Sequence, residues 1–521
     1  MKNSRRLIVL AGMVLLAGTV IALVAILLLQ DRDTLPPRVP LDYTPSPADE
    51  RLQNLLLDQA IVIPVGEDIQ ATIEQHPPGS VFIIGSGVHR MQRITPRDGD
   101  IFIGEPGAVL NGSRLLEDFE TEDDYWLLRD QPEEAWSSGE CLDEAPRCSF
   151  ANDLFIDDQP LPQVASLDDL EPGTWFFDYD NATIYLAADP TNRVVELSTT
   201  AIAFESEASD VLIYGLTVEK YAGPGQVAPV RAFEGRDWRI ERSIVRLNAA
   251  GGITVGEGTQ VINSQIIRNG QIGVSGIGDN MLIEGNEIAY NNFAGYSPGW
   301  EAGGTKFVGS RDLVVRGNYV HHNRGPGLWT DGSNVDVLYE DNLVVQNDGA
   351  GIFHEISYDA VIRYNVAMYN APTPRQMFEG GQIFVSSSGN TTVHDNIVVV
   401  GSSGGNAVAI VQQSRGEGEL GPHVADGNEV HNNVMVMLHE ESLTGLSAGL
   451  EDGPDDGDEW NVSGNQFHDN TYYILDDSYN NWGWPHASRT WSEWQELGQD
   501  SDSTLLTDIP LRLTLIPAWR R

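Results

Sequence analysis

Positive charge is scarce in this chain: 31 Lys and Arg stand against 76 Asp and Glu, for a formal net charge of −45. A surface of that sign excludes attraction to nucleic acid or to an anionic membrane face, and it repels polyanionic glycans unless cations screen them. Lysine is rarest, with only Lys2, Lys220 and Lys306. Cysteine is confined to Cys141 and Cys148, which rules out a disulfide-rich scaffold. No zinc signature, nucleotide-binding loop or nucleophilic-serine motif occurs, so those enzyme classes lose their usual markers. Sustained helical periodicity is also missing, whereas glycine is abundant, with 53 residues. Together these point to an all-β chain with many turns.

What is present begins with an address. Lys2, Arg5 and Arg6 precede residues 7–29, 23 residues without a charge, which is long enough to span a bilayer. The run ends AILLLQDRD, without the small-x-small exit of a cleaved signal. An uncleaved, single-pass anchor over residues 1–30 is therefore expected, followed by a Pro-rich stalk over 31–58. That topology places the bulk of the chain outside the cytoplasm, at the cell membrane. There, Cys141 and Cys148, close together in ECLDEAPRC, are expected to form a disulfide.

The strongest pattern is repetition. MLIEGNEIAYN, LVVRGNYVHHN, VLYEDNLVVQN, AVIRYNVAMYN, TTVHDNIVVV, EVHNNVMVM and NVSGNQFHDN share an apolar run, an asparagine and a second apolar run. The matched residues are Asn286, Asn318, Asn342, Asn365, Asn396, Asn433 and Asn465. Spacings of 24 and 23 residues between Asn318, Asn342 and Asn365 define a solenoid of short strands, a parallel β-helix, with loops inserted elsewhere. The asparagine is assigned to a tight turn, because it tolerates left-handed backbone angles, and to stacking up the ladder. The solenoid is expected over 59–475, with an inserted β subdomain at about 113–200 and a C-terminal cap with a short helix over 476–521. Asp68 is the expected N-cap of a helix closing the first coil, and Thr490 with Glu493 fit a capping box before WSEWQELG.

On these residues, from about Ala60 to Asn470, the chain resembles the right-handed parallel β-helix superfamily of pectate lyases and related polysaccharide enzymes. IQATIEQHPPGSVFIIGSGVH, GEPGAVLNGS and the asparagine ladder carry the resemblance. It implies the fold and a substrate groove over one strand face. It leaves the activity open, because the superfamily includes lyases, hydrolases, epimerases and non-catalytic adhesins.

Strand phase locates candidate chemistry. In GLWTDGSN, Trp329 and Asp331 point outward. In GIFHEIS, Phe353 and Glu355 point outward and His354 inward; in GTKFV and QIFVSSS, Lys306 and Phe384 point outward. Two columns follow: Lys306, Trp329, Phe353, Phe384, and beside it Val308, Asp331, Glu355, Ser386. The insertions 292–304, 371–381 and 415–427 flank the same strand and form groove walls, with Trp300 as a further sugar platform. Asp331 and Glu355, one strand apart, are expected about 4.8 Å from each other, close to the carboxyl spacing of a retaining glycosidase. One of the two pKa values is then expected to rise. A calcium ion or a solvated acidic face are the alternative readings of the pair.

The expected protein is thus a monomeric polysaccharide-active enzyme, by preference a glycoside hydrolase with Asp331 and Glu355 as its acids, and with no required cofactor. The alternative is a lyase or epimerase on a uronate-containing glycan, using Lys306 and His354 with Arg324 as the nearest arginine, and calcium as its optional cation. A third reading is a non-catalytic glycan-binding surface protein.

Overall fold

The computed structural model describes residues 59–122, 124–372, 380–448, 464–484 and 487–509. The expected membrane anchor and stalk lie outside the described residues. Among the described residues no helix is long and apolar enough to cross a membrane.

The chain winds into a parallel β-helix whose coils contribute strands to three sheets of 13, 12 and 13 strands. Short strands suffice because each is paired on both sides by neighbouring coils, and the inward side chains of all three sheets meet in one continuous apolar core. Ile283, Val315, Tyr339, Ile362 and Val393 make one rung-to-rung column of that core, fully buried at each level.

Asparagine holds the turns, but differently from the expectation. None of the seven matched asparagines is left-handed. The preceding residue takes that conformation instead: Gly317, Asp341, Tyr364 and Asp395 have φ of 64°, 55°, 56° and 55°. The asparagine side chain is thereby turned into the barrel, where both amide groups need partners. They find them in the next coil: Asn286, Asn318, Asn342, Asn365, Asn396, Asn433 and Asn470 form a chain of amide hydrogen bonds of 2.9–3.1 Å. The last member is Asn470, not Asn465; Asn465 precedes its strand and accepts from Asn428 at 2.8 Å. A second ladder runs five residues further on, from Asn248 through Asn269, Asn291, Asn323, Asn347 and Asn370 to Gln382.

Both ends of the core are closed. Asp68 accepts from the N–H of Ala71 at 3.0 Å and caps the helix Ile69–Ile73, whose Ile69 and Ile73 are buried. At the other end Thr490 and Glu493 form a capping box for the helix Trp491–Glu496, which buries Trp494. Between the early coils, two four-stranded antiparallel sheets share a separate apolar core built on Trp175, Phe177, Leu154 and Leu197. Within them a hairpin pairs Trp175–Asp178 with Thr183–Leu186. Lys220, 1 % exposed, fastens this region to the barrel through ion pairs to Glu196 and Asp158, with Arg90 on the other oxygen of Glu196 at 2.8 Å.

Candidate active site

Four neighbouring strands of one sheet build the site: Gly303–Val308, Leu328–Asp331, Ile352–Glu355 and Ile383–Ser386. Their register aligns Trp329, Phe353 and Phe384, and beside them Val308, Asp331, Glu355 and Ser386. These are the columns that strand phase predicts, since a parallel ladder without bulges preserves side-chain phase from coil to coil. Trp329 and Phe353 stack with centroids 5.5 Å apart, and Phe384 lies tilted by 32° against Phe353 at 4.7 Å. The Lys306 ammonium lies 4.0 Å from the centroid of the Trp329 ring.

The column is less open than its outward phase suggests. Ala350, Ala409, Val411 and Leu443 pack with Phe384 into a small satellite core, and Phe353 keeps the most exposed ring of the three. What remains open is a cleft of about 350 Å³, lined by Lys306, Trp329, Asp331, Phe353, Glu355, Phe384 and Arg415, with Pro298, Pro326 and Gly380 at its edges.

Charge in the cleft is paired crosswise. Lys306 bonds Asp331 at 2.8 Å and Glu301 at 3.0 Å. Arg415 bonds one oxygen of Glu355 at 2.8 Å, and the Trp329 indole N–H donates to the other at 3.2 Å. Glu355 is 7 % exposed, and its pKa is pushed up to about 7. Burial is the main cause and the neighbouring Asp331 charge adds to it, while Arg415, Lys306 and the indole hydrogen bond act in the opposite direction. The result is an acid able to hold a proton near neutrality, one strand from a second carboxyl group in an ion pair.

Calcium does not suit this donor set. Both acids already carry a fixed cation, which a metal ion would have to displace. Among the described residues no group of three or more His, Cys, Asp or Glu is arranged to hold a metal.

Three residues offered for the site's chemistry do not reach the cleft. His354 lies inside the barrel, 0 % exposed, bonded through Nδ1 to Thr330 at 2.8 Å, and burial pushes its pKa down to about 4. It is a core residue beneath the strand, as its inward phase requires. Trp300 stacks on Tyr296 at 6.1 Å and packs against the disulfide loop, because the insertion folds back onto that loop through Ser297 N–H to Glu140 O and Leu142 N–H to Gly295 O, both 2.9 Å. The Cys141–Cys148 disulfide is formed. Arg324 is drawn to the same loop by Glu144 at 3.0 Å.

Sequence reasoning missed Glu301, Arg415 and His423. Arg415 reaches Glu355 across 60 residues of sequence, from a loop. That loop is held down by the Tyr358 hydroxyl, which donates to Gly421 O at 2.7 Å and accepts from Gly418 N–H at 3.1 Å. His423 sits beneath it against the Tyr358 ring, 4.9 Å between centroids. The signal for it in the sequence is position, since 415–427 is an insertion flanking the groove strand.

The family described as "Right handed beta helix region" matches residues 230–398. Among solved structures, XylC in complex with xylose superposes with a TM-score of 0.63 at 15 % identity, over 85 % of this chain and 83 % of that one. A glycoside hydrolase gives 0.48 at 10 % identity, over 73 % and 96 %. The mannuronan C-5 epimerase AlgE4 A-module of Azotobacter vinelandii gives 0.46 at 13 %, over 84 % and 96 %. No curated protein matches. The chain folds as a right-handed parallel β-helix.

Proposed function

We propose that this chain is a polysaccharide-active enzyme, and specifically a glycoside hydrolase with Glu355 and Asp331 as its catalytic acids. One observation carries the reading: a carboxyl group held near pKa 7 stands one strand from a second carboxyl group, in a cleft floored by stacked rings. Sugar rings lie well on such a floor, and that XylC, of the same fold, was captured with xylose supports a carbohydrate ligand.

In this mechanism Glu355 gives its proton to the glycosidic oxygen as the bond to the anomeric carbon breaks. Asp331 attacks that carbon, forming a glycosyl ester while the leaving sugar departs as an alcohol. Glu355, now ionised, takes a proton from water, whose oxygen displaces Asp331 and leaves a free reducing end. Neighbouring strands about 4.8 Å apart suit this retaining course, which needs carboxyl groups about 5–5.5 Å apart, better than an inverting one. Lys306 positions Asp331 through its 2.8 Å ion pair, and Arg415 sets how readily Glu355 releases its proton.

A second reading is a lyase or epimerase on a uronate glycan. Arg415 favours it, by bringing into the cleft an arginine that Arg324, held by Glu144, does not supply. Against it, Lys306 would have to leave two carboxylates before acting as a base. The two readings separate on a glycan panel. A hydrolase releases reducing ends, a lyase releases an unsaturated product, and a binding protein retains oligosaccharide without releasing either. Reducing ends without unsaturation are expected; an unsaturated product overturns the hydrolase reading.

We also propose that residues 7–29 anchor the protein, as a monomer, with the β-helix outside the cytoplasm. The full chain is then expected to sediment with membranes, and a chain starting at the stalk to remain in the supernatant.

A further inference from the structure

The cleft is closed at one end. Along the sheet that carries it, Ala409 and Val411 follow Phe384 and Ser386 in register. Both are 0 % exposed and pack with Leu443, so a linear chain seated in the cleft cannot continue over those coils.

Toward the earlier coils the outward side chains are exposed instead. Val308 stands beside Asp331 in register and is 36 % exposed. Gly276 pairs with Phe307, so one step further along Ile277 comes beside Val308, and it is 51 % exposed. Val255 pairs with Gly276, so Gly256 comes beside Ile277 in the same way. Phe233, 36 % exposed, lies against Gly256, where a Cβ would come 2.7 Å from the Phe233 backbone. Single exposed apolar residues are ordinary on a protein surface. These three share one outward column that leads to Asp331, and from Phe233 to Asp331 it covers four steps of about 4.8 Å, roughly 19 Å. On the adjoining column Thr254 and Ser275, both half-buried, set hydroxyl groups alongside.

The arginines bordering this stripe are paired. Arg231 bonds Glu205 at 2.8 Å, Arg236 bonds Glu257 at 2.6 Å, and Arg311 bonds Glu419 at 2.8 Å. Glu234 and Asp279, next to Phe233 and Ile277, add negative charge at its edge. A polyanionic chain would meet that charge without a free cation to offset it. A neutral glycan lays apolar ring faces on the stripe and turns its hydroxyls to Thr254 and Ser275. We propose that the Phe233–Ile277–Val308 stripe is a binding track for a neutral polysaccharide, holding the part of the chain that extends beyond the cleft. The inference rests on the carbohydrate reading of the cleft and adds that the ligand is a polymer, leaving over the earlier coils.

The test uses the full chain carrying Glu355→Gln, so that bound glycan is not turned over, and measures binding of xylobiose, xylohexaose and hexagalacturonate by titration calorimetry. Xylohexaose is expected to bind about tenfold tighter than xylobiose, the scale of covering one further apolar side chain, and hexagalacturonate more weakly than xylohexaose. Adding Phe233→Ala and Ile277→Ser is expected to reduce the xylohexaose affinity to that of xylobiose and to leave xylobiose unchanged. Should the double variant fail to fold, Ile277→Ser alone, at the most exposed of the three positions, is expected to lose part of the same gain. No binding of xylohexaose, equal affinities for the two xylose chains, a variant that weakens both alike, or tighter binding of hexagalacturonate overturns the track. A track that behaves as expected in a parent chain that releases no reducing ends from any glycan of the panel stands, and the hydrolase reading alone falls.

Discussion

The proton on Glu355 can be followed without knowing the substrate, because Trp329 reports on it. The indole N–H donates to Glu355 Oε2 at 3.2 Å, so ionisation changes the charge on its acceptor. In a chain labelled with ¹⁵N-tryptophan, one indole signal among 12 tryptophans is expected to titrate with a midpoint near 7 and to stop titrating in Glu355→Gln. Arg415→Gln then removes a guanidinium lying 2.8 Å from the other oxygen. Two unit charges about 4 Å apart interact by about 4 kcal/mol at an effective dielectric of 20 and about 1 kcal/mol in water. The Arg415 side chain is 36 % exposed, so the lower part of that range applies. About 1.4 kcal/mol corresponds to one pKa unit, which moves the midpoint up to roughly 8. Asp331→Asn acts the other way: it removes a negative neighbour, so the midpoint falls, yet stays above the ordinary 4.5 because burial remains. An indole signal that ignores pH between 5 and 9, or a midpoint that Arg415→Gln leaves unmoved or lowers, refutes this electrostatic reading.

Stability carries the same signature. Folding raises the Glu355 pKa from 4.5 to about 7, so within that window the folded chain holds a proton the unfolded chain has released. Stability therefore falls as pH rises through the window, by about 3 kcal/mol in all, and urea denaturation of Glu355→Gln is expected to lack that slope. Asn342→Ala removes acceptor and donor from the middle of the turn ladder, stranding groups on Asn318, Val315 and Asn365. A loss of about 2–4 kcal/mol by urea denaturation is expected. A smaller effect on the C-terminal coils is expected from acid. His394, His431 and His468 stack on consecutive coils at 5.1 and 5.0 Å, and burial followed by the two neighbouring rings lowers the His431 pKa. A group whose pKa folding lowers favours the folded state while neutral, so this stability is lost as pH falls through the ordinary histidine value of 6.5. Protection factors of the amides in Glu429–His431 and Gln466–His468, taken against the intrinsic exchange rate at each pH, are expected to fall on acidification, and less so in His431→Gln.

The legible part of the site is the part governed by strand period. Trp329, Phe353, Asp331 and Glu355 could be aligned because alternation along each strand, counted from a recurring asparagine, fixes both face and level. The same logic placed His354 inside. The asparagine repeat yields the coil and the stacking of its side chains up the ladder, but not the turn conformation. The left-handed residue is the one before it, and the side chain is a buried rung rather than a turn former. Asn465 matches the repeat in place of Asn470 because NVSGNQFHDN contains two asparagines five residues apart, one for each side of the strand. Loops have no such period. Trp300 and Arg324 went to the disulfide loop, and Arg415 came in from a segment whose path depends on the Tyr358 hydroxyl. Nothing local in RGEGELGPH marks its first residue as the partner of Glu355.

The most direct measurement is turnover of a glycan identified from the panel by three purified, folded variants, Asp331→Asn, Glu355→Gln and Lys306→Ala, against the parent chain. The two acid variants are expected to lose about a thousandfold or more, the scale of removing a general acid or its partner, with Lys306→Ala retaining a measurable fraction. Full activity in both acid variants, together with an inactive Lys306→Ala, contradicts the hydrolase and assigns the cleft to base-catalysed chemistry.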